Sequence, residues 1–267
     1  MKRTVLAAVL ALCVVTASVA SAAGSPPTKE AGKLVVGFDL PAPGFWNGRA
    51  SGTTLKNPSG FEHSLAFAIA KQVGISANNV QLVRAPFGTM LLPGKKTFDF
   101  ALEETTITAQ RAKAVTFSTP YFDANQGVLI SKGTPKPTKI SDLKSLQTCA
   151  QAATTGLGYL QHKLRPAKKP LVYSASSSAA FDAVEAGRCQ ALLLDVPIVV
   201  SQSKKKPGAY GGVVGQILTG EGYGAVMQKG STLKPWVDKA IKALRANGTI
   251  ARLQKRWLPF THVPILK

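Results

Sequence analysis

The chain has 267 residues, of which 33 are Lys or Arg and 13 are Asp or Glu, giving a net charge of +20. This length suffices for one large domain or two lobes of ordinary size. The charge permits binding to nucleic acids or anionic surfaces. However, the basic residues are dispersed and no basic helix with interleaved aromatic residues occurs, which favours a solvated basic surface and no nucleic-acid partner.

The first residues have the pattern of an export signal. A basic start at Lys2 and Arg3 precedes an apolar run from Val5 to Val15 and the small residues 20–22. The run is shorter than the about 20 apolar residues of a membrane span. We therefore expect residues 1–22 to be a cleaved signal peptide and the protein to be secreted or periplasmic, without a lipid anchor at Cys13.

Two cysteines, Cys149 and Cys189, follow the predicted signal. Export makes a disulfide between them possible, with two buried thiols as the alternative. The three histidines are scattered singly and no metal-ligand cysteine pattern occurs. We expect neither a metal nor a cofactor.

Alternating strand and helix patterns predict an α/β unit in the first half of the chain. A β-branched strand at residues 33–39 precedes a polar loop and a helix from Gly60 to Gly74. Strands at residues 80–83 and 98–102 follow, with a weak helix around Met90 between them. This order is typical of parallel strands layered with helices.

A second α/β unit follows an apolar strand at residues 126–131 and a Pro/Gly-rich segment. Its strands are expected near residues 147–151, 172 and 191–194, with helices from Thr154 and over residues 176–186. A second crossing strand is expected at residues 222–230, before an amphipathic helix over residues 233–246. The prediction is two α/β lobes joined by two strands: residues 33–131 and 222–260 form lobe 1, and residues 132–221 form lobe 2.

Polar residues stand where several of these strands end: Asp39, residues 105–111, Thr154 and Asp195. Ligands of α/β sheets bind outside the carboxyl ends of the strands. A guanidinium such as that of Arg111 beside short hydroxyls is a receptor for a carboxylate. We therefore expect a ligand cleft between the lobes that closes by hinge motion.

An ordered set of motifs resembles the family 3 extracellular solute-binding proteins. The motifs lie at residues 34–39, 60–62, 107–111, 115–121, 151–155, 187–197, 223–230 and 246–257. The resemblance implies a fold of the periplasmic binding protein type 2 class and capture of an amino acid for an ABC transporter permease. It also implies a monomer.

The resemblance further implies roles for single residues. Arg111, helped by Thr106 and Thr154, would bind the α-carboxylate of the ligand, and Asp195 its α-ammonium. Asp39 would lie where ligands are selected by their side chains, and Phe45 or Trp46 would cover the ligand. The full set of expected ligand-binding residues is Asp39, Phe45, Trp46, Glu104, Thr106, Arg111, Gln151, Thr154 and Asp195.

Each assignment has a structural alternative. Arg111 would otherwise lie on a helix surface, Asp195 and Thr154 would cap helices, and Asp39 would be a turn residue. Phe45 and Trp46 would pack in the core or a loop.

The chain also departs from the family pattern at three places. Glu104 and Ala153 replace usual glycines, and Ala109-Gln110 replaces a frequent Pro-Glu before the arginine. Glu104 would either face the cleft and favour a cationic or polyol-like side group, or point outward to a surface lysine.

The leading hypothesis is a non-enzymatic binding protein for a polar amino acid or related zwitterion. The alternative is an exported enzyme of the cyclohexadienyl (prephenate or arogenate) dehydratase type on the same scaffold. Such an enzyme needs a cleft acid with a raised pKa, for which Glu103 or Glu104 would serve. A sensory input module is the third class, and it would need a membrane span after Trp257.

Overall fold

The computed structural model describes residues 24–174, 176–258 and 262–267. The predicted signal peptide, residues 1–22, lies outside these residues. No helix within the described ranges combines the length and apolar character that a membrane crossing requires.

Strands and helices alternate along most of the chain. The strands are β1 (Leu34–Phe38), β2 (Asn47–Ser51), β3 (Thr54–Ser59), β4 (Val80–Arg84), β5 (Phe100–Ala101), β6 (Val115–Phe117), β7 (Phe122–Ile130), β8 (Thr148–Gln151), β9 (Leu171–Tyr173), β10 (Ala191–Asp195), β11 (Gly212–Tyr223) and β12 (Val226–Gln228). The helices are α1 (Phe61–Gln72), α2 (Phe87–Met90), α3 (Ala109–Ala112), α4 (Thr155–Tyr159), α5 (Ser177–Glu185), α6 (Val196–Lys205), α7 (Lys234–Ala246) and α8 (Thr249–Trp257).

Lobe 1 is built on a sheet with the strand order β4-β1-β5-β12-β6. β1 runs parallel to β4 and β5, as the sequence predicts, whereas β12 runs antiparallel to β5 and β6. The apolar positions of α1 are spaced by four, so Phe61, Leu65 and Ile69 point into one core. α7 adds Val237 and Ile241 to the same core. Burial of each such side chain contributes about 1.5–3 kcal/mol to folding.

Lobe 2 is built on a second sheet with the order β11-β7-β10-β8-β9. β10 is buried along its whole length, because α5 and α6 pack on the face of Leu192 and Leu194 and α4 with residues 160–164 packs on the face of Ala191 and Leu193. The Cys149–Cys189 disulfide joins β8 to the turn before β10, so the expected bond is confirmed.

Two antiparallel strands, β7 and β11, join the lobes. They pair from Gly212 opposite Ile130 to Tyr223 opposite Phe122. Phe122 and Tyr223 pack in the core of lobe 1, and Ile130 packs in that of lobe 2. The hinge is therefore continuous with both cores, and the residue boundaries given above for the lobes stay a prediction.

The structure differs from the sequence-based expectation at two elements. The second crossing strand is β11, not residues 222–230, because residues 226–228 form β12 inside the lobe 1 sheet. The segment expected as a polar loop contains the hairpin β2–β3. Its residues are largely exposed and polar, so hydrophobic alternation does not reveal it.

Candidate functional site

A cleft lies between the lobes at the carboxyl ends of β1, β8 and β10. It contains about 600 Å³ of space, part of which is open to solvent. Seven of the nine expected ligand-binding residues line it: Asp39, Glu104, Thr106, Arg111, Gln151, Thr154 and Asp195.

Arg111 is held between the lobes by backbone and aromatic contacts. It lies on the short helix α3, where the hydroxyl of Thr108 caps the helix by accepting from the Arg111 backbone N–H. Its Nη1 donates to the carbonyl of Thr106 at 2.6 Å, and its Nη2 donates across the cleft to the carbonyl of Ala153 at 2.8 Å. The guanidinium carbon lies 5.5 Å from the ring centre of Phe87, a cation–π distance. These two bonds use two of the five N–H donors of arginine.

Asp195 brings a buried carboxyl into the cleft from lobe 2. It ends β10, and its Oδ1 accepts from Nε2 of Gln126 at 2.6 Å while its Oδ2 accepts from the Tyr223 hydroxyl at 2.7 Å. Burial and the nearby charge of Glu221 raise the pKa of Asp195 to about 7. The two hydrogen bonds and the positive charge of Arg111 oppose this shift. A cationic group of a ligand would stabilise the ionised form.

Glu221, which the sequence reasoning missed, ties the two lobes together behind the cleft. Its Oε2 accepts from the hydroxyl of Thr106 in lobe 1 and from that of Thr155 in lobe 2, both at 2.7 Å. Gln126 Nε2 also donates to its carboxylate at 3.1 Å. The sequence offers one indication of Glu221, namely an acidic residue between two glycines just before Tyr223.

Thr154 caps α4. Its hydroxyl accepts from the backbone N–H of Leu157 at 3.2 Å and donates to the carbonyl of Gln151 at 2.7 Å. Ala153, just before it, has a φ of 62°. This left-handed conformation costs glycine little and costs a residue with a side chain more. The chain keeps this conformation at Ala153, where the family usually has glycine.

Asp39 lines the cleft while bound to lobe 1. It accepts from Nε of Arg84 at 3.0 Å and from the backbone N–H of Phe87 at 3.1 Å. These contacts fix the loop that follows β4 and place Phe87 beside Arg111.

Three further acids, Glu62, Glu103 and Glu104, form what we call the acidic triad. Glu62 accepts from the backbone N–H of Glu104 at 2.8 Å and from the hydroxyl of Tyr121. Burial raises the pKa of Glu62 to about 7, and burial together with neighbouring acids raises the pKa of Glu103 and of Glu104 well above the usual range. Glu104 lines the cleft and its backbone faces inward to Glu62.

The assignment of Phe45 and Trp46 to the ligand site is wrong for this structure. Both side chains lie in the core of lobe 1 and neither lines the cleft. Phe45 packs against Phe61 and Phe122, and the indole Nε1 of Trp46 donates to the carbonyl of Leu102 at 2.7 Å. Two large apolar rings gain more from this core than from a wet cleft. The aromatic residue that lines the cleft is Phe87.

No group of three or more His, Cys, Asp or Glu side chains within residues 24–174, 176–258 and 262–267 is arranged to hold a metal ion.

Comparison with known proteins places these observations in a family. The model of the bacterial extracellular solute-binding proteins, family 3, matches residues 34–260. The chain is 28% identical over 267 residues to the ABC transporter arginine-binding protein 1 of Escherichia coli (strain K12), covering 97% of the chain and 100% of that protein. It is 29% identical over 215 residues to the ABC transporter glutamine-binding protein GlnH of Bacillus subtilis (strain 168), covering 76% of each.

Solved structures give the same result for the fold. An ancestral arginine-binding protein bound to arginine is similar with a TM-score of 0.73 and 29% identity, covering 85% of this chain and 98% of that one. An ancestral arginine-binding protein bound to glutamine is similar with a TM-score of 0.74, covering 86% and 100% of the two chains.

Proposed function

We propose that this chain captures a polar amino acid outside the cytoplasm and delivers it to the permease of an ABC importer. The premise is its family, because the chain belongs to the family 3 bacterial extracellular solute-binding proteins. It acts as a monomer, and residues 1–22 direct its export.

One observation carries this proposal. The cleft receives a cation from lobe 1, Arg111, and an acid from lobe 2, Asp195, as the α-carboxylate and α-ammonium of an amino acid require. The ligand carboxylate binds the remaining N–H donors of Arg111, and the ammonium binds Asp195. The hydroxyl of Thr106, whose proton is donated to Glu221, would have to turn from Glu221 to donate to the carboxylate. Because the two charges sit on different lobes, a bound zwitterion bridges them and favours the closed hinge.

Closure also strengthens these contacts. Asp195 is 5% exposed, and ion pairs that are removed from water are screened less. The closed form then differs from the open one in the surface it presents to a permease.

The names of the relatives support an amino acid as the ligand. Relatives of this chain include an arginine-binding protein, a glutamine-binding protein and a cystine-binding protein. They are binding proteins, and no enzymatic step is assigned to this chain.

The dehydratase alternative rests on the raised pKa values of Glu103 and Glu104. A structural relative that bears on it is an ancestral amino-acid-binding protein, a precursor of cyclohexadienyl dehydratase, with 28% identity and a TM-score of 0.69. That relative is itself named as a binding protein.

A thermal-shift screen of the chain from residue 24 onward with the twenty amino acids tests the proposal. A ligand at a hundred times its Kd stabilises a protein by about 2.7 kcal/mol, which raises the melting temperature by about 5–10 °C for a chain of this size. We expect one polar amino acid or a few related ones to do so. Absence of any shift, or turnover of prephenate or arogenate, would contradict the proposal.

A further inference from the structure

We propose that Glu103 and Glu104 form a carboxylate subsite that binds a second positive charge of the ligand, the guanidinium or ammonium group of a dibasic amino acid. This inference rests on the proposed function, in which Arg111 and Asp195 hold the zwitterionic end. It adds the class of the side chain and the residues that select it.

Glu103 gives the strongest evidence. Glu103 is one of the residues that line the cleft, and only 5% of it is exposed. Both of its carboxyl oxygens are buried without a hydrogen-bond partner among the described residues. Buried polar groups in native proteins are almost always hydrogen-bonded, and an unpaired one costs folding free energy. A donor that enters through the cleft removes this cost.

The surroundings of Glu103 favour a cationic donor. Burial raises its pKa most, the negative charges of Asp39 and Glu62 add to the rise, and the positive charge of Arg84 lowers the pKa by less. Arg84 is already paired with Asp39 at 3.0 Å. The region thus has an excess of negative charge that a ligand cation would offset.

Glu104 extends this negative region toward Asp195. Burial raises its pKa most, and the charges of Glu62, Glu103 and Asp195 and a hydrogen bond with the Glu62 side chain add to the rise. Glu104 and Asp195 both line the cleft. Its φ of 45° is left-handed, a conformation that is unfavourable for a residue with a side chain. Its backbone N–H is fixed by Glu62, which holds this acid in place at the cleft.

The acids of the whole chain are concentrated here. Six of the 13 lie in or behind the cleft, while the chain as a whole carries a charge of +20. Four acids and one base, Arg111, line the cleft, and an excess of one sign of charge raises the local concentration of the opposite ion. The cleft therefore attracts a cation that the rest of the surface repels.

Binding of such a cation is linked to proton release. Without a cation the raised pKa values keep part of the cluster protonated, and a bound cation favours the ionised forms. The groups that act on Glu103 and Glu104 come from β1, α1, β4, β7 with its preceding turn, β10 and β11: Asp39, Glu62, Arg84, Tyr121, Asp195 and Tyr223.

L-Arginine and L-citrulline test the subsite, because the two are nearly isosteric and only arginine carries the second charge. Isothermal titration calorimetry would measure both on the wild type, on Glu103→Gln and Glu104→Gln, and on the control Glu185→Gln, whose carboxylate pairs with Lys206 on the surface. We expect arginine to bind the wild type and the control about tenfold or more tightly than citrulline. In Glu103→Gln this ratio should fall to near one, with citrulline still bound.

Titrations of the wild type in two buffers of different ionisation enthalpy add a readout that needs no variant. Arginine should release protons near pH 6.5 and citrulline should release fewer. Equal affinity and equal proton release for the two ligands, or an unchanged ratio in Glu103→Gln, would overturn the subsite and leave the proposed function in place. Failure of every amino acid to bind would overturn both.

Discussion

Two buried acids, Asp195 and Glu62, decide how the residues of the cleft respond to pH. Asp195 receives hydrogen bonds from Gln126 and Tyr223, and Glu62 receives them from Glu104 and Tyr121. Burial outweighs these bonds, since the pKa of each acid rises to about 7. The ligand-free cleft therefore binds protons that the unfolded chain releases near pH 4.

The sign of the pH dependence follows from this difference. A raised pKa in the folded state means that stability is greatest below the unfolded pKa and is lost as the pH rises through about 7. We expect the melting temperature of the ligand-free protein to fall on the order of 5 °C between pH 5 and pH 7.5. Differential scanning calorimetry in buffers of constant ionic strength measures it.

Glu62→Gln should reduce this slope, and Glu185→Gln should not, because Glu185 is a surface acid paired with Lys206. A melting temperature that is constant or rises over this range would contradict the assigned burial of charge.

Some charged residues of the cleft were predictable, whereas Glu62, Glu221 and the aromatic Phe87 were not. Asp39, Arg111 and Asp195 stand directly after strand patterns or in a motif, so strand ends locate them. The same rule applied to β4 would have found Phe87, two residues after Ala85. Phe45 and Trp46 were misassigned because an apolar ring is equally suited to a cleft wall and to a core, and only the three-dimensional packing separates the two.

At the scale of elements, the last residues of the chain act as part of lobe 2. α8 belongs to lobe 1, yet residues 262–267 pack on β11. Gln216 donates its backbone N–H to the carbonyl of Pro264, and Leu266 donates back to Gln216. Leu266 is 4% exposed in the lobe 2 core. A Cβ at Gly215 would lie 2.4 Å from Leu266 Cγ, so glycine there permits the close approach.

Leu266→Ala should therefore lower the free energy of unfolding by about 2–5 kcal/mol, although the residue is next to the last one. The adjacent Ile265 is 48% exposed and provides a matched control, since Ile265→Ala should change the free energy by no more than about 0.5 kcal/mol. Urea denaturation followed by circular dichroism compares the two. Similar losses for both variants would show that this segment does not anchor lobe 2.

Elements with a strong period were predictable, and those shaped by tertiary pairing were not. The four-residue spacing from Phe61 to Val73 gives α1, and the apolar run before Asp195 gives β10. β11 was not predicted, because its glycines and polar residues interrupt the alternation of apolar and polar residues. Its pairing with β7 orders it instead. The hairpin β2–β3 was not predicted either, because its two strands carry largely exposed polar residues.

At the scale of the whole molecule, the two lobes contribute opposite walls of one cleft. Lobe 1 supplies Arg111 and the acidic triad, and lobe 2 supplies Asp195, while Glu221 on β11 contacts hydroxyls of both lobes. A ligand that joins these parts should stabilise one relative arrangement of the lobes. The central claim is that Arg111 binds the α-carboxylate of that ligand.

A double cycle of binding free energies tests this claim most directly. Calorimetry would measure the amino acid that gives the largest thermal shift, and its α-amide, on the wild type and on Arg111→Ala. We expect the free acid to lose several kcal/mol on Arg111→Ala, because the carboxylate then lacks its partner in a desolvated site. The amide should bind both proteins with nearly the same affinity. Equal losses for the acid and the amide would contradict a carboxylate contact at Arg111.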